Sequence, residues 1–525
     1  MNSFIVRGIS LPYRADPAEA CRTASKRLAS AGLRVLDSAV YRRSVDARKK
    51  KDIRFVYSVL CHTEGRAPDE AKLRRIDAVA EKKGIPAPEF GDEMLGAPPV
   101  ICGFGPAGMF AALLLCENGY APVVCERGPC VKERQKKIDR FFETGILDCE
   151  GNVQFGAGGA GTFSDGKLMT RINDGFCRYV LEKLHEFGAP DDILVNSRPH
   201  VGTDLLGSIV ERIDERIRSL GGSVLYNTRI DSFKCDSAGR VTSVVTNRGE
   251  IACGALIFAP GHSARDTYSY LKTTDMDIRP KTISVGFRIE HLRSDIERAL
   301  YGDAAGDPIL GSAEYNLSSN IDGRGVYTFC MCPGGEVVAA ASEEGGTVTN
   351  GASRYARDLA NSNSAVAVSL DHPDPMEFQR SLERAAFEAA GGQFRAPIST
   401  LGDFVNGRCG SEPTRVCPSY TGKGMTLCDL GKIFPQDISK TLAAGLLSFG
   451  KKIEGFDRPE AMLTAPETRT SAPFRIARGE MLTAMGHDNV YPCGEGAGWA
   501  GGITSAAVDG MRAALALMKR YKNTN

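Results

Sequence analysis

The feature that most constrains this chain is a strand, glycine turn, helix and strand within the thirty residues from Pro99 to Gly128. Gly103, Gly105 and Gly108 follow a short apolar run and open a helix, whose free backbone N–H groups and positive dipole end suit a pyrophosphate. Gly105 lets the backbone approach a ligand, and Gly108 lets the helix pack tightly on its strand. The pattern predicts a dinucleotide-binding site.

An acid stands where such a site needs one. The second strand, Val123-Val124-Cys125, runs into Glu126, eighteen residues past Gly108, where a carboxylate can bond both hydroxyls of an adenosine ribose. A glycine-rich turn inside an ordinary α/β unit is the alternative interpretation. The residues predicted to contact the dinucleotide at this turn are Gly103, Gly105, Pro106, Ala107, Gly108, Glu126 and Arg127.

Length and composition bound the class of protein. The 525 residues, 42% of them hydrophobic, are enough for two or three domains with full cores, and a net charge of +1 argues against adhesion of the whole protein to polyanions. No apolar run resembles a signal peptide or a membrane span, so we expect a soluble, cytoplasmic protein. Sixteen scattered cysteines without a C-x-x-C pair predict reduced thiols and no structural metal.

Residues 1–95 are predicted to form a separate small α/β domain. A strand begins at Phe4, a helix covers Asp16–Ala31, a strand covers Ile53–Cys61 and a second helix covers Asp69–Lys83. The remaining predicted domains are a nucleotide-binding domain in two parts, 96–279 and 466–525, and an inserted substrate or cap domain, 280–465. Within the first part, continuous strands are expected over Ser223–Phe233 and Glu250–Phe258.

A basic segment, Arg42–Arg54, joins two strands of the N-terminal domain. Seven cationic side chains against two carboxylates leave a local charge of +5, enough to attract a phosphate backbone or an acidic partner. A solvated hairpin end is the alternative, because no aromatic or base-reading pattern accompanies the charges.

Three separated segments together resemble the two-dinucleotide-binding flavoproteins of the glutathione reductase type. They are the glycine turn at Gly103, a strand running into Ala259-Pro260-Gly261, and a late Gly494-Glu495 turn before a final helix. The resemblance implies that the first site holds the adenosine and pyrophosphate of FAD. It further implies cofactor contacts along the ribityl chain, near the flavin ring and at the adenine, from Ile230, Ala259, Gly261, Gly494, Glu495, Gly501, Gly502 and Ile503.

Longer motifs resemble a bacterial family of uncharacterised FAD-dependent dehydrogenases. They are SVDARKKKDIRFVYSV (44–59), NVQFGAGGAGTFSDGKL (152–168), FCMCPGGEVV (329–338), ETRTSAPFRIAR (467–478) and PCGEGAGWAGGI (492–503). The chain departs from that pattern at Ala157, where an acid is usual, and at Trp499, where a tyrosine is usual. If the acid is a proton donor in relatives, this protein acts without it.

The segment from Phe155 to Lys167 holds five glycines in thirteen residues, a composition that suits neither a helix nor a strand interior. By analogy with the flavoproteins it lies beside the flavin, where Lys167 or a backbone N–H stabilises negative charge on the reduced ring. A flexible loop is the alternative. The predicted cofactor contacts in this segment are Gly158, Gly159, Gly161 and Thr162.

Candidate catalytic and substrate-binding side chains carry open alternatives. Cys330 and Cys332 form a C-x-C pair that could exchange electrons with the flavin or could fill a core. His262, after the Ala-Pro-Gly turn, could act as an acid or base near neutral pH or could be satisfied by backbone. Arg469 and Arg475 could bind a substrate carboxylate or phosphate, or could pair with Glu467 and Glu480 on the surface.

The sequence thus predicts an α/β protein with a three-layer, Rossmann-like FAD-binding domain, an inserted mixed α+β domain and the small N-terminal domain. The predicted function is a FAD-dependent oxidoreductase with non-covalent flavin, acting on a small molecule, with NAD(P)H as a transient electron donor. Two alternatives are a plain NAD-dependent dehydrogenase and an RNA-associated flavoprotein that uses Arg42–Arg54.

Overall fold

The computed structural model describes residues 2–65, 67–81, 84–170, 172 and 174–523. The chain divides into two compact units. The N-terminal unit comprises Met1–Pro86, Lys167–His200 and Ser294–Ala313, and the main unit comprises Ala87–Gly166, Val201–Arg293 and Glu314–Asn525. No helix in the described ranges has both the length and the apolar character that crossing a bilayer requires.

The strands of the described chain follow. They are β1 (Asn2–Pro12), β2 (Arg34–Asp46), β3 (Arg54–Glu64), β4 (Ala78–Ala80), β5 (Pro99–Cys102), β6 (Val123–Cys125), β7 (Ser223–Leu225), β8 (Ile230–Cys235), β9 (Val241–Thr246), β10 (Gly249–Ala252), β11 (Ala255–Phe258), β12 (Ile278–Pro280), β13 (Ile283–Leu292), β14 (Ser318–Ile321), β15 (Arg324–Cys332), β16 (Glu336–Ala339), β17 (Thr349–Ala352), β18 (Asn361–Leu370), β19 (Ala396–Thr400), β20 (Met425–Leu427), β21 (Met462–Glu467), β22 (Phe474–Ile476) and β23 (Val490–Pro492).

The α-helices alternate with these strands. They are α1 (Ala18–Ser30), α2 (Glu70–Arg75), α3 (Pro106–Glu117), α4 (Val131–Thr144), α5 (Gly175–Glu186), α6 (Thr203–Ser219), α7 (Arg265–Leu271), α8 (Arg293–Tyr301), α9 (Pro375–Ala389), α10 (Leu401–Val405), α11 (Gln436–Gly450) and α12 (Ile503–Arg520).

The N-terminal unit contains a four-stranded antiparallel sheet in the order β2-β3-β1-β4. Strand β3 alternates buried and half-buried residues, and α1 buries Ala20, Ala24 and Leu28 on the spacing of one helix face. The predicted long helix over Asp69–Lys83 is wrong for the described residues up to Glu81, and its last two residues lie outside the described part of the chain. Helix α2 ends at Arg75, because Asp77 adopts the left-handed conformation (φ 50°) and the next residues add a strand beside β1.

The basic segment Arg42–Arg54 covers the end of β2, the connection 47–53 and the first residue of β3, and β2 and β3 pair as an antiparallel hairpin. Several of its cationic groups serve the fold: Arg43 donates to Asn196 Oδ1 at 2.9 Å, and Arg54 donates to Ser10 Oγ at 2.9 Å. Arg48 pairs with Asp46 at 2.6 Å. Part of the positive charge of this hairpin is therefore neutralised by its own carboxylates. Binding of RNA by the hairpin stays a prediction.

The centre of the main unit is a five-stranded parallel sheet in the order β23-β11-β5-β6-β7. The chain winds from β5 through β6 to β7 and later adds β11 and β23 on the other side of β5. Helix α3 is buried on nearly every face, which explains its almost uniformly apolar sequence. Its first residue, Pro106, is pre-set for the first helical position.

Two predicted strands are each divided between sheets. The stretch 223–233 contains β7 of the parallel sheet and β8 of a separate antiparallel sheet, β10-β9-β8, with a turn at Asn227 (φ 54°) between them. The stretch 250–258 likewise contains β10 and β11, interrupted at Gly254, where a Cβ would lie 2.3 Å from the Ala97 carbonyl oxygen. Alternating apolar residues cannot reveal such a change of sheet.

The main unit also contains a seven-stranded sheet, with the strand order β14-β15-β18-β13-β21-β19-β20. Its pairs are antiparallel except for β19 with β20. The long central strand β13 is buried along almost its whole length, although it carries Arg288 and Glu290. This strand therefore encloses charged groups that must find partners inside the protein.

Candidate functional site

The carboxyl edge of the parallel sheet collects most of the residues predicted to bind a cofactor. Strand β5 is followed by Gly103, β6 by Glu126, β11 by Ala259 and β23 by the turn at Gly494. Ligands of open parallel sheets bind outside this edge, beside the point where the winding reverses. That point here is β5, with β11 on one side and β6 on the other.

Two glycines of the first turn are required by close backbone contacts. A Cβ at Gly103, which has a φ of +92°, would lie 2.4 Å from the Ala259 carbonyl oxygen. A Cβ at Gly108 would lie 2.0 Å from the Gly103 carbonyl oxygen. Gly105 is different, because the nearest atom to its Cβ position is the Gly159 Cα, at 3.8 Å. Space beside Gly105 is what close approach of a pyrophosphate needs.

Glu126 is buried and is held by backbone N–H groups. Its Oε2 accepts from Phe104 N at 2.8 Å, and its Oε1 accepts from Gly128 N at 2.9 Å and Gly156 N at 3.0 Å. Since a carboxylate offers about four acceptor positions, about one is left for a ligand. The contact between Glu126 and a ribose stays a prediction.

The amino ends of two helices meet at the glycine-rich segment. A Cβ at Gly161 would lie 3.0 Å from Ile503 Cγ1 and 3.9 Å from Pro106 Cγ, the first residues of α12 and α3. Both helices have a glycine at the N-cap, Gly105 or Gly502, and neither has a side-chain cap among the described residues. Their first N–H groups thus offer two positive dipole ends to an anionic ligand.

The late turn packs directly against the earlier ones. A Cβ at Gly494, which has a φ of +73°, would lie 2.7 Å from Ala107 Cβ, and a Cβ at Gly496 would lie 2.5 Å from Gly261 N. Tyr268 ties these turns together, because its hydroxyl donates to the Gly496 carbonyl at 2.7 Å. The early and late glycine turns, which the resemblance assigns to one cofactor, thus lie side by side.

A buried arginine that sequence reasoning missed holds the glycine-rich segment. Arg134 donates to the carbonyl oxygens of Asn152, Val153, Ala157 and Gly159 at 2.7 to 2.9 Å. Burial lowers the pKa of this guanidinium to about 9. A signal existed in the sequence: Arg134 stands four residues before Ile138 and seven before Phe141, on the buried stripe of α4. Ala157, at the position of the family's acid, is itself fully buried.

Arg127 and Thr162 have structural partners at this edge. The Arg127 guanidinium bonds Glu150 and Asp266 at 2.9 to 3.2 Å, and its carbon lies 4.0 Å from the centroid of the Phe155 ring. Thr162 is buried and donates to the Ala157 carbonyl at 3.4 Å. The observed contacts of Arg127 and Thr162 are therefore with other residues of the chain, and they stabilise the loops at this edge.

A cavity of about 370 Å³ is lined in part by β7, the strand that pairs with β6 before Glu126. Thr228, whose N–H donates to the Glu126 carbonyl at 2.8 Å, is part of its wall. Ile230 begins β8 and is the register partner of Thr246, another wall residue. The whole lining is Val224, Leu225, Tyr226, Thr228, Thr246, Arg248, Gly249, Glu250 and Ile251.

Glu495 is the titratable group of the late turn. Burial raises the pKa of its carboxyl to about 7, against the opposing effect of the Lys281 ammonium group. Burial also lowers the pKa of Lys281. Glu495 can therefore hold or release a proton near neutral pH, a property that the sequence did not indicate.

His262 does not have the near-neutral pKa on which its predicted acid or base role depended. Burial, Arg469 and Arg265 lower the pKa of its imidazole to about 3, so the ring is neutral at physiological pH. The two arginines belong to a buried ion cluster with Glu383. Burial alone would raise the pKa of Glu383, but Arg469 and Arg265 hold it well below its usual range.

Arg469 and Arg475 are in different environments. Arg469 is buried and bonds Glu383 at 3.0 and 3.1 Å, so the predicted surface pair with Glu467 or Glu480 is wrong and the guanidinium is already occupied. Arg475 is exposed, donates to the Gly498 carbonyl at 3.2 Å and lies over the Trp499 ring. Arg475 is the better placed of the two to meet a substrate anion.

The remaining predicted catalytic residues lie in separate units. Lys167 belongs to the N-terminal unit, where its backbone forms an antiparallel bridge with His200. Cys330 and Cys332 belong to the main unit, at the end of β15. Cys330 is half-buried and Cys332 is fully buried. The Cys330 carbonyl accepts from Arg288 Nη1 at 2.8 Å.

Residues 282–470 match the family model described as FAD-dependent protein, C-terminal domain-like. The chain is similar to a glycine oxidase of Bacillus cereus (11% identity, 81% of this chain and 96% of that one, TM-score 0.31) and to a flavin-dependent brominase (11%, 82% and 81%, TM-score 0.40). It is 44% identical to an uncharacterized protein of Clostridium beijerinckii over 494 residues, 92% of each chain. The chain therefore belongs to the family of the C. beijerinckii protein.

Proposed function

We propose that this chain is a FAD-dependent oxidoreductase that binds its flavin without a covalent bond and acts on a small molecule. The observation that carries the proposal is the meeting of Gly105, Gly161 and Gly494 around the amino ends of α3 and α12. Three short, separated glycine segments at one edge of a parallel sheet suit a long ligand with an anionic centre. Bound FAD supplies two-electron chemistry.

The glycines, helix amino ends and acid at the carboxyl edge of the parallel sheet suit FAD, as in a Rossmann-type nucleotide site. Gly105, Gly261 and Gly501 leave open space where a side chain would stand, because a Cβ at each meets no atom closer than 3.8 Å. The first N–H groups of α3 and α12 can receive the pyrophosphate and the polar edge of the flavin. Glu126 retains about one acceptor position for a ribose hydroxyl.

Side chains near that edge can exchange a proton or bind an anion. Glu495 exchanges a proton near pH 7, and Lys281 stands close enough to influence its carboxylate. Arg475 offers an exposed guanidinium on the Trp499 ring, suited to a substrate carboxylate or phosphate. Neutral His262 is suited to hydrogen bonding instead of proton uptake.

The test is flavin content in matched glycine variants. Gly105→Asp puts a negative charge beside the predicted pyrophosphate and should lower bound FAD per chain at least about tenfold. Gly96→Asp adds the same charge in open space near the amino end of β5, and should purify with wild-type flavin. Flavin is measured after denaturation. A Gly105→Asp protein with full FAD, or a wild type that releases only NAD, overturns the proposal.

A further inference from the structure

The C-x-C pair lies where β15 stops being a regular strand. Its pairing with β18 shifts register between Phe329 and Cys332, and Cys330 takes the left-handed conformation with a φ of +44°. A residue with a Cβ adopts this conformation at a cost, and such outliers cluster at functional sites. The simple alternation argument for two core-filling cysteines therefore does not apply at this position.

At the bulge the Cys332 thiol lies against Cys330. In a regular strand, residues two apart are separated by about 6.6 Å, near the upper limit of Cα separation for a disulfide. Here Cys332 Sγ lies 3.3 Å from the Cys330 carbonyl oxygen, and its thiol contacts the Cys330 side chain. That contact, followed by burial, raises the pKa of the Cys332 thiol.

The surroundings of the pair contain groups suited to sulfur chemistry. Arg288, fully buried, interacts electrostatically with both thiols. Asn363, the register partner of Cys332, has a buried Nδ2 without a hydrogen-bond partner among the described residues. A buried donor left unpaired calls for an acceptor that appears in another state of the protein. A thiolate or disulfide sulfur at Cys332 is an acceptor of this kind.

The pair interacts electrostatically with groups at the proposed flavin site. Cys330 influences the carboxyl of Glu495 in the late glycine turn, and Cys332 is influenced by Asp165 at the end of the glycine-rich segment. Cys330 is partly exposed, whereas Cys332 is fully buried. This asymmetry suits an attacking thiol and a protected resolving thiol.

We propose that Cys330 and Cys332 are a redox-active dithiol and disulfide pair, and that the substrate class of this site is a disulfide or its thiol. The Cys330 thiolate attacks one sulfur of a disulfide, so a mixed disulfide forms, the substrate S–S bond breaks and one thiolate leaves and takes a proton. The Cys332 thiol then loses its proton and attacks Cys330 Sγ, which breaks the mixed disulfide, forms the internal disulfide and releases the second sulfur, which takes up that proton as a thiol.

In this sequence the substrate is reduced to two thiols and the protein pair is oxidised. Two electrons and two protons, with reduced flavin as the electron source, return the pair to the dithiol. That last requirement rests on the proposed function. Exchange between the pair and a thiol buffer does not need the flavin, so the two proposals fail separately.

The first experiment equilibrates purified protein in glutathione redox buffers, traps thiols with a maleimide and digests with trypsin. Both cysteines, and no others, fall in the tryptic peptide 325–354. We expect this peptide to pass reversibly between two trapped thiols and an internal disulfide that lacks two hydrogens. A peptide that stays doubly trapped at every ratio, or forms only mixed disulfides with glutathione, overturns the inference.

Matched variants separate chemistry from folding. Cys330→Asn suits the left-handed backbone, Cys332→Ser is nearly isosteric, and both should abolish the internal disulfide. Cys409→Ser removes an exposed cysteine elsewhere and should leave the transition unchanged. Formation of the same disulfide signal in either pair variant would contradict the assignment.

The second experiment counts electrons in the FAD-loaded protein. Anaerobic dithionite should reduce the oxidised wild type with two two-electron equivalents per flavin, and Cys332→Ser with one. One equivalent for both proteins overturns the redox link to the flavin while leaving the proposed function intact. Absence of FAD after denaturation contradicts the proposed function, and the tryptic peptide still decides the fate of the pair.

Discussion

The carboxyl edge of the parallel sheet consists mainly of backbone groups, whereas the interior of the seven-stranded sheet is held by side-chain contacts. The edge is made of glycines, helix amino ends and backbone N–H groups within short segments such as 103–108. The interior site around Arg288 is made of side chains, since its guanidinium bonds Glu467, Asn350 and Asn363. The residues of the first site are close together in the sequence, so a short motif predicts it. The residues of the second site come together only when strands that are distant in the sequence pair.

The largest expected effect comes from the interior. Arg288→Met leaves Glu467 buried without its partner and should lower the free energy of unfolding by about 3 to 5 kcal/mol. Arg279→Met, which breaks the exposed pair with Asp277, should leave the free energy of unfolding nearly unchanged. Urea denaturation measures both. If both variants lose only a little unfolding free energy, Glu467 does not need Arg288 as a partner in the interior, and the account of this site is contradicted.

The edge should respond to backbone crowding. A Cβ at Gly510 in α12 would lie 2.0 Å from the Ala107 carbonyl oxygen in α3, so Gly510→Ala should destabilise the protein by about 1 to 3 kcal/mol. A Cβ at Gly479 meets no atom within 4 Å, and Gly479→Ala should be neutral within about 0.5 kcal/mol. If Gly510→Ala is also neutral, the two helices do not need the close contact that positions the first and last turns.

The smallest effect tests Glu495, the titratable group of the late turn. The folded-state pKa of Glu495, about 7, lies above its ordinary value of 4.5, so its contribution to stability is complete below about pH 4.5 and is lost as the pH rises through 7. Glu495→Gln should therefore gain stability over wild type between pH 5 and 8, by up to about 2 kcal/mol after allowance for partial exposure.

Urea denaturation of flavin-free protein at several pH values measures this difference, with the exposed Glu480→Gln as the control. A difference that is constant with pH, or that grows toward acid, contradicts the environment described for Glu495.

The contrast explains which parts of the molecule could be predicted. The turn at Gly103, the late turn at Gly494 and the final helix depend on local glycine spacing, and the structure brings them together as expected. The divided strands at 223–233 and 250–258 were missed, because a change of sheet leaves the apolar pattern intact. The C-x-C pair was ambiguous for a related reason: the left-handed Cys330 arises from a bulge against β18.

Buried charges were the least predictable. Arg134 lies in a helix whose many charged residues are typical of an exposed helix. For Arg469 a surface ion pair and a substrate contact were both open, and the structure instead shows a buried pair with Glu383. Their partners come from segments far away along the chain, so charge and hydropathy near each residue say little about them. The useful sequence signal was position on an apolar stripe or within an apolar strand, as for Arg134 in α4 and Arg288 in β13.

A crystal structure of the purified protein with its cofactor tests the proposed edge most directly. We predict density for an extended FAD, with its pyrophosphate at the amino end of α3 beside Gly105 and its ring near Gly161 and Ile503. Density for FAD elsewhere, or for a nicotinamide dinucleotide alone at this edge, would contradict the proposed flavin site.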